Sequence, residues 1–139
     1  MSAFPVTVNW KASMSEVNEK FNTTELSHLI VVDDTEIFKG IISKQDLFNM
    51  TRWLMNRTSG KKYTELELNN MEARDMMTTD TVNLDKDTSI DYAAELLLQK
   101  KFHSLPVIHN FKAIGILTTY DLLKHYYESK AYTRNVNFE

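Results

Sequence analysis

The stretch HLIVVDDTEIFKGIISKQDLF, residues 28–48, lies without a gap over HSLPVIHNFKAIGILTTYDLL, residues 103–123, at an offset of 75. His28 coincides with His103, Val32 with Val107, Gly40 with Gly115, Ile41 with Ile116, Asp46 with Asp121 and Leu47 with Leu122, and Ser43 matches Thr118 in kind. Both copies end on one skeleton: glycine, two aliphatics, a hydroxyl residue, two variable positions, aspartate. A 139-residue chain that carries this twice reads as an internal duplication.

Working outward, Met14, Val17 and Phe21 have helical spacing, and Ile90, Ala93 and Leu97 repeat it at an offset of 76. A one-residue slip is therefore expected between helix and strand. Before each helix, Val6-Thr7-Val8 and Val82-Asn83-Leu84 alternate with the period of a strand. Ser13-x-x-Glu16 and Thr88-x-x-Asp91 read as capping boxes at the helix starts. The turn formers at Asp33-Asp34 and at His109-Asn110 predict hairpins between the second and third strands of each copy. Leu122, Leu123, Tyr126 and Tyr127 give the last helix an apolar stripe, as Leu47, Met50 and Leu54 do in the first copy.

Each copy thus reads βαββα, in the second over roughly residues 82–84, 89–102, 105–108, 113–117 and 120–127. Repeat 1 is expected over residues 1–57, a polar connector broken by Ser59-Gly60 over 58–72, repeat 2 over 73–130 and a tail over 131–139. A copy of about 55 residues buries too little surface to be secure alone. The fold class follows as α+β, two repeats packed with pseudo-twofold symmetry, with clefts where the halves meet.

Composition narrows the function. The chain is 42% hydrophobic and 25% charged with three glycines and two prolines, ordinary for a globular core. A net charge of -3 and scattered basic residues argue against nucleic acid and anionic membranes. The absence of cysteine removes disulfides, thiol nucleophiles and thiolate metal sites, and suits a reducing, cytoplasmic setting. Neither a secretion signal nor a membrane-length apolar run is present in the sequence. No Ser-His-Asp arrangement, Walker loop or HExxH occurs, so enzymatic activity is not expected.

Taken alone, Ser43-x-x-Asp46 and Thr118-x-x-Asp121 are also capping signatures, and duplication copies caps as readily as binding sites. Gly40 and Gly115 allow close packing or a bulge. His28 and His103 invite a metal reading, but four histidines without cysteine make a poor metal site, and helix-end positions explain them better. Asp33-Asp34 reads as a turn rather than an acid/base pair. Trp53, Leu54 and Met55 suit either a core or a dimer contact.

The doubled Gly-h-h-Ser/Thr-x-x-Asp pattern, the HSLPVI before the second hairpin and the ARDMMTTDTVNLDKDTSIDYAAELL opening the second copy together resemble the tandem CBS-domain, or Bateman, module. The resemblance covers residues 5–127. It implies a regulatory module that needs no cofactor but binds an adenosine-containing ligand: AMP, ADP, ATP, S-adenosylmethionine or NAD. By that resemblance Asp46 and Asp121 would hold ribose hydroxyls. Ser43 and Thr118 would lie near phosphate or ribose, with Lys44 adding charge in the first copy. Backbone at Ile30-Val31 and Leu105-Pro106 would line the adenine slot.

A carboxylate can accept from both hydroxyls of a vicinal diol, and a strand-to-helix junction offers unpaired N–H groups to phosphate. The first copy has Val31 where the second has Pro106, and a short lead-in, so the Thr118–Asp121 site is expected to be the more complete. The resemblance also implies a homodimer, and an effector carried by a separate protein or by a longer chain. The competing expectation is a ligand-free dimerisation or protein-interaction module in which the motif residues only cap helices.

Overall fold

A computed structural model describes residues 2–3, 5–57, 61–100 and 104–129. In chain order the elements are β1 (Ser2–Ala3), β2 (Thr7–Asn9), α1 (Met14–Thr23), β3 (His28–Val32), β4 (Phe38–Ser43), α2 (Lys44–Arg57), α3 (Lys61–Asn70), α4 (Ala73–Met76), α5 (Ile90–Lys100), β5 (Ser104–His109), β6 (Lys112–Thr118) and α6 (Thr119–Glu128). His103, residues 58–60 of the connector and the tail at 131–139 lie outside the described residues.

Among the described residues two three-stranded sheets form, β2-β3-β4 and β1-β6-β5. In repeat 1 the aliphatic run Leu29–Val32 is buried throughout, and β2 joins it in parallel across the α1 crossover. In repeat 2 the expected strand at 82–84 shrinks to one bridge, where Leu84 N–H donates to the Pro106 carbonyl (2.8 Å) and Ile108 N–H to the Leu84 carbonyl (2.7 Å). The shortening has a local cause. Asp85 N–H donates to Thr88 Oγ1 (3.0 Å) and Lys86 N–H to Asp85 Oδ1 (2.8 Å), turning the chain away directly after Leu84.

That use of Thr88 also corrects the second capping box. Ser89 takes the cap instead, its Oγ accepting from Tyr92 N–H at 3.1 Å, as Ser13 accepts from Glu16 N–H at 3.1 Å.

The one-residue slip lies elsewhere than expected. Ile30 pairs with Ile41 in one hairpin and Pro106 with Ile116 in the other, so the offset is 76 before the hairpin turn and 75 after it. The turns themselves differ. Asp33 Oδ1 accepts from Thr35 N–H (2.8 Å), Thr35 Oγ1 (2.7 Å) and Ile37 N–H (3.0 Å) across the longer first turn. The second is a two-residue turn with Asn110 and Phe111 both at positive φ, 52° and 67°. Ile30, not Val31, is therefore the counterpart of Pro106, and Ser104, not His103, the counterpart of His28.

Each repeat's lead-in crosses to the other repeat's sheet. Ser2 and Ala3 pair with Ile116 and Gly115 of β6, and Thr78 pairs with Ile41 of β4 through N–H to O contacts of 3.0 and 2.8 Å. Gly40 permits the second crossing: a Cβ there would stand 2.6 Å from the Thr78 carbonyl oxygen.

Three apolar clusters hold the fold. One is repeat 1's own, around Met14, Val17, Phe21, Val31 and Ile42; one is repeat 2's, around Leu84, Ala93, Leu105, Val107 and Leu122. The third joins the halves, with Ile30, Val32 and Ile41 against Ala113 and Ile116. The connector is helical at α3, and its Leu68 is buried in the repeat 1 cluster. Ala73 of α4 is buried there too, with its N–H donating to the Ala12 carbonyl (2.7 Å).

Candidate functional site

In repeat 1, β4 runs straight into α2, so the hydroxyl of Ser43 stands at the helix start and accepts Asp46 N–H at 2.9 Å. Among the described residues the Asp46 carboxylate itself accepts no hydrogen bond and joins no ion pair. His28, across the ladder from Ser43, has its Nδ1 3.3 Å from Ser27 Oγ.

These groups open onto a cleft of about 280 Å³ between the repeats. Repeat 1 gives it His28, Ile41, Ser43 and Asp46; the crossing lead-in gives Thr78, Asp80, Thr81 and Val82; β5 gives Ser104 and Pro106. A broader recess of about 730 Å³ shares His28, Ser43 and Asp46 and continues past Lys44, Gln45 and Phe48 along the first turn of α2. Ile41, Val82 and Pro106 provide flat apolar walls, Asp46 an open acceptor, and the α2 N-terminus with Lys44 a positive outer end.

In repeat 2 the same motif is closed on itself. Thr118 Oγ1 accepts Asp121 N–H at 3.1 Å while Asp121 Oδ2 accepts Thr118 N–H at 3.0 Å, a reciprocal capping box. Asp121 lines a separate groove of about 240 Å³ inside repeat 2, between α5 and α6, with Leu84, Ala93 and Leu122 as floor and Lys86, Thr88 and His125 at its rim.

Of the residues singled out from sequence, Ser43, Asp46 and Pro106 meet in the inter-repeat cleft, and Lys44 lies in the adjoining recess. Ile30, Val31 and Leu105 are buried, Ile30 between the halves and the others within their own repeats. Sequence reasoning missed Thr78, Asp80, Thr81 and Ser104. The stretch TTDTV, residues 78–82, carries no local sign of this; only the ladder from Thr78 to Ile41 reveals that it wraps onto the opposite repeat. The Asp80 carboxylate, like that of Asp46, has no protein partner among the described residues.

Among the described residues no cluster of three or more His, Asp or Glu is placed to hold a metal, and no helix is long and apolar enough to cross a membrane.

Residues 1–51 and 73–128 match the family profile described as CBS domain. The CBS domain-containing protein CBSX2, chloroplastic, of Arabidopsis thaliana is 32% identical over 104 residues, covering 74% of this chain and 40% of that protein. The match therefore covers less than half the length of this curated relative. The crystal structure of CBSX2 in complex with AMP gives a TM-score of 0.72 at 28% identity, over 91% of this chain and 92% of that one. The CBS domain pair of protein MJ0100, in complex with 5′-methylthioadenosine and S-adenosyl-L-methionine, gives 0.70 at 20% identity over 91% and 90%, a likeness of fold.

Proposed function

The chain belongs to the CBS domain family, and on that premise we propose that it is a regulatory module, not an enzyme, which takes an adenosine-containing ligand in the cleft of Ser43 and Asp46. One observation carries this reading: a carboxylate without a protein partner among the described residues, beside a helix N-terminus, facing a wall built by the other repeat. An open carboxylate is the acceptor a ribose diol requires. The relative that binds AMP supports the ligand class, which takes in AMP, ADP, ATP, S-adenosylmethionine and NAD.

The ligand would bridge the halves, with its base between Ile41, Val82 and Pro106, its ribose on Asp46 and its 5′ substituent toward Lys44. Binding then favours one arrangement of the repeats by its differential affinity for it, and a separate effector reads the altered surface in a cytoplasmic setting. Thermal unfolding with each candidate ligand tests this. At about 100 times the dissociation constant a ligand should add roughly 2.7 kcal/mol and raise the midpoint by several degrees. An unmoved midpoint with all of them would defeat the reading.

A second reading, a self-association module, is favoured by the exposed apolar residues of the motif helices. Trp53 is 54% exposed on α2, and Leu123 and Tyr127 are 68% and 76% exposed on α6, whereas Leu54 packs inward. Sedimentation of the chain and of Trp53→Ser checks it. A homodimer that weakens on substitution supports it, and a monomer at all concentrations contradicts it.

A further inference from the structure

Resting on the adenosine-ligand reading above, we propose that Asp80 sets the ligand class of the Ser43–Asp46 cleft. The site accepts a nucleoside, a nucleoside monophosphate or a cationic adenosyl ligand, and discriminates against the triphosphate. The discrimination rests on charge. Among the described residues, cleft and recess together present two carboxylates, Asp46 and Asp80, against one ammonium, that of Lys44, with His28 the remaining titratable group on their walls.

Among the described residues neither carboxylate is neutralised by a protein partner: the backbone N–H of Asp46 donates to Ser43 Oγ while its carboxylate takes no bond, and Asp80 has no hydrogen bond or ion pair. Asp46 has a task in the ribose contact. Asp80 does not, and it reaches the cleft only because Thr78 is pinned beside Ile41. Its field therefore acts on whatever charge the ligand carries. Charges within a screening length of about 8 Å interact at physiological salt, so each phosphate beyond the one that Lys44 and the α2 N-terminus can meet is opposed.

Position supports the assignment. At the lead-in offset of 76, Asp80 corresponds to Phe4 and Thr81 to Pro5, so the charge belongs to one side of the pseudo-twofold only. Asp80 is exposed and outside every helix and strand, so its substitution leaves the fold intact, which an unchanged melting midpoint verifies.

The test is calorimetric titration of the full chain and of Asp80→Asn with adenosine, AMP and ATP, in metal-free buffer at low and high salt. The wild type should bind adenosine or AMP more tightly than ATP. Asp80→Asn should gain roughly tenfold for ATP and change by less than about twofold for adenosine, and the gain should shrink in high salt. An unchanged ratio of ATP to adenosine affinity in Asp80→Asn, or ATP as the tightest wild-type ligand, would overturn the inference while leaving adenosine binding standing. Failure of the wild type to bind any of the three would remove the adenosine reading and this inference with it.

Discussion

In repeat 2 the Asp121 carboxylate is occupied by the backbone of its own helix, through the 3.0 Å contact with Thr118 N–H. In repeat 1 the equivalent Asp46 keeps the hydroxyl cap from Ser43 and leaves its carboxylate open to the inter-repeat cleft. Capping in repeat 2 thus occupies the carboxylate that the proposed ribose contact would use in repeat 1, and the two copies place the same motif differently. A duplicated motif duplicates an opportunity, and the surroundings decide how it is used. Those surroundings also differ. Repeat 1 is sealed by the connector helix and α4, while the corresponding groove of repeat 2, at Lys86, Thr88 and Asp121, is open among the described residues.

The largest expected effect concerns that seal. Leu68 is 7% exposed in the repeat 1 core, so Leu68→Ala should cost about 2–5 kcal/mol in urea unfolding. A loss below about 1 kcal/mol would mean that α3 only decorates repeat 1. Next, Gly40→Ala forces a methyl group against the Thr78 carbonyl, a backbone atom that cannot swing aside, and should cost roughly 1–3 kcal/mol. Hydrogen exchange at the Thr78 amide, which donates to Ile41, should quicken in that variant; a neutral outcome would show the crossing lead-in to be compliant.

A smaller difference separates the two aspartates. Asp121→Ala removes half of a capping box and should cost about 0.5–2 kcal/mol, whereas Asp46→Ala should stay within roughly 0.5 kcal/mol. Equal losses would erase the contrast between the copies.

The smallest effect is in pH. The Thr35 hydroxyl, with the backbone N–H groups of Ile37 and Thr35 and the charge of Lys39, holds Asp33 below its ordinary 3.8 despite some opposing desolvation. Lys11, then Asn9, hold Asp34 below the same value. A lowered folded-state value means stabilisation that is present above the unfolded value and lost as pH falls through the folded one. The Ile37 amide should therefore exchange faster in acid below about pH 3.8, with no counterpart at the carboxylate-free turn of Asn110 and Phe111. Equal acid sensitivity of the two turns would contradict this.

Much of the architecture was legible because it is periodic. The apolar spacing of Met14, Val17 and Phe21, and the aliphatic strands flanking turn formers, are local signals that the folded chain follows. The position of the slip is not legible because β3 and β5 are largely apolar, so sliding one past the other by a residue leaves the pattern nearly unchanged; only the ladder partners fix it. Thr88 was read as a cap because the sequence cannot show that Asp85 N–H claims its hydroxyl first. Asp80 and Thr81 could not be read as site residues, since their place depends on pairing between Thr78 and a strand of the other repeat, a contact with no local signature.

The most direct test of the account is titration of the tightest adenosine ligand into the chain, into Asp46→Ala and into Asp121→Ala. One ligand should bind per chain, with affinity lowered roughly 10- to 100-fold in Asp46→Ala as hydrogen bonds to a charged acceptor are lost, and nearly unchanged in Asp121→Ala. Two ligands per chain, or loss of binding in Asp121→Ala with Asp46→Ala unaffected, would contradict it.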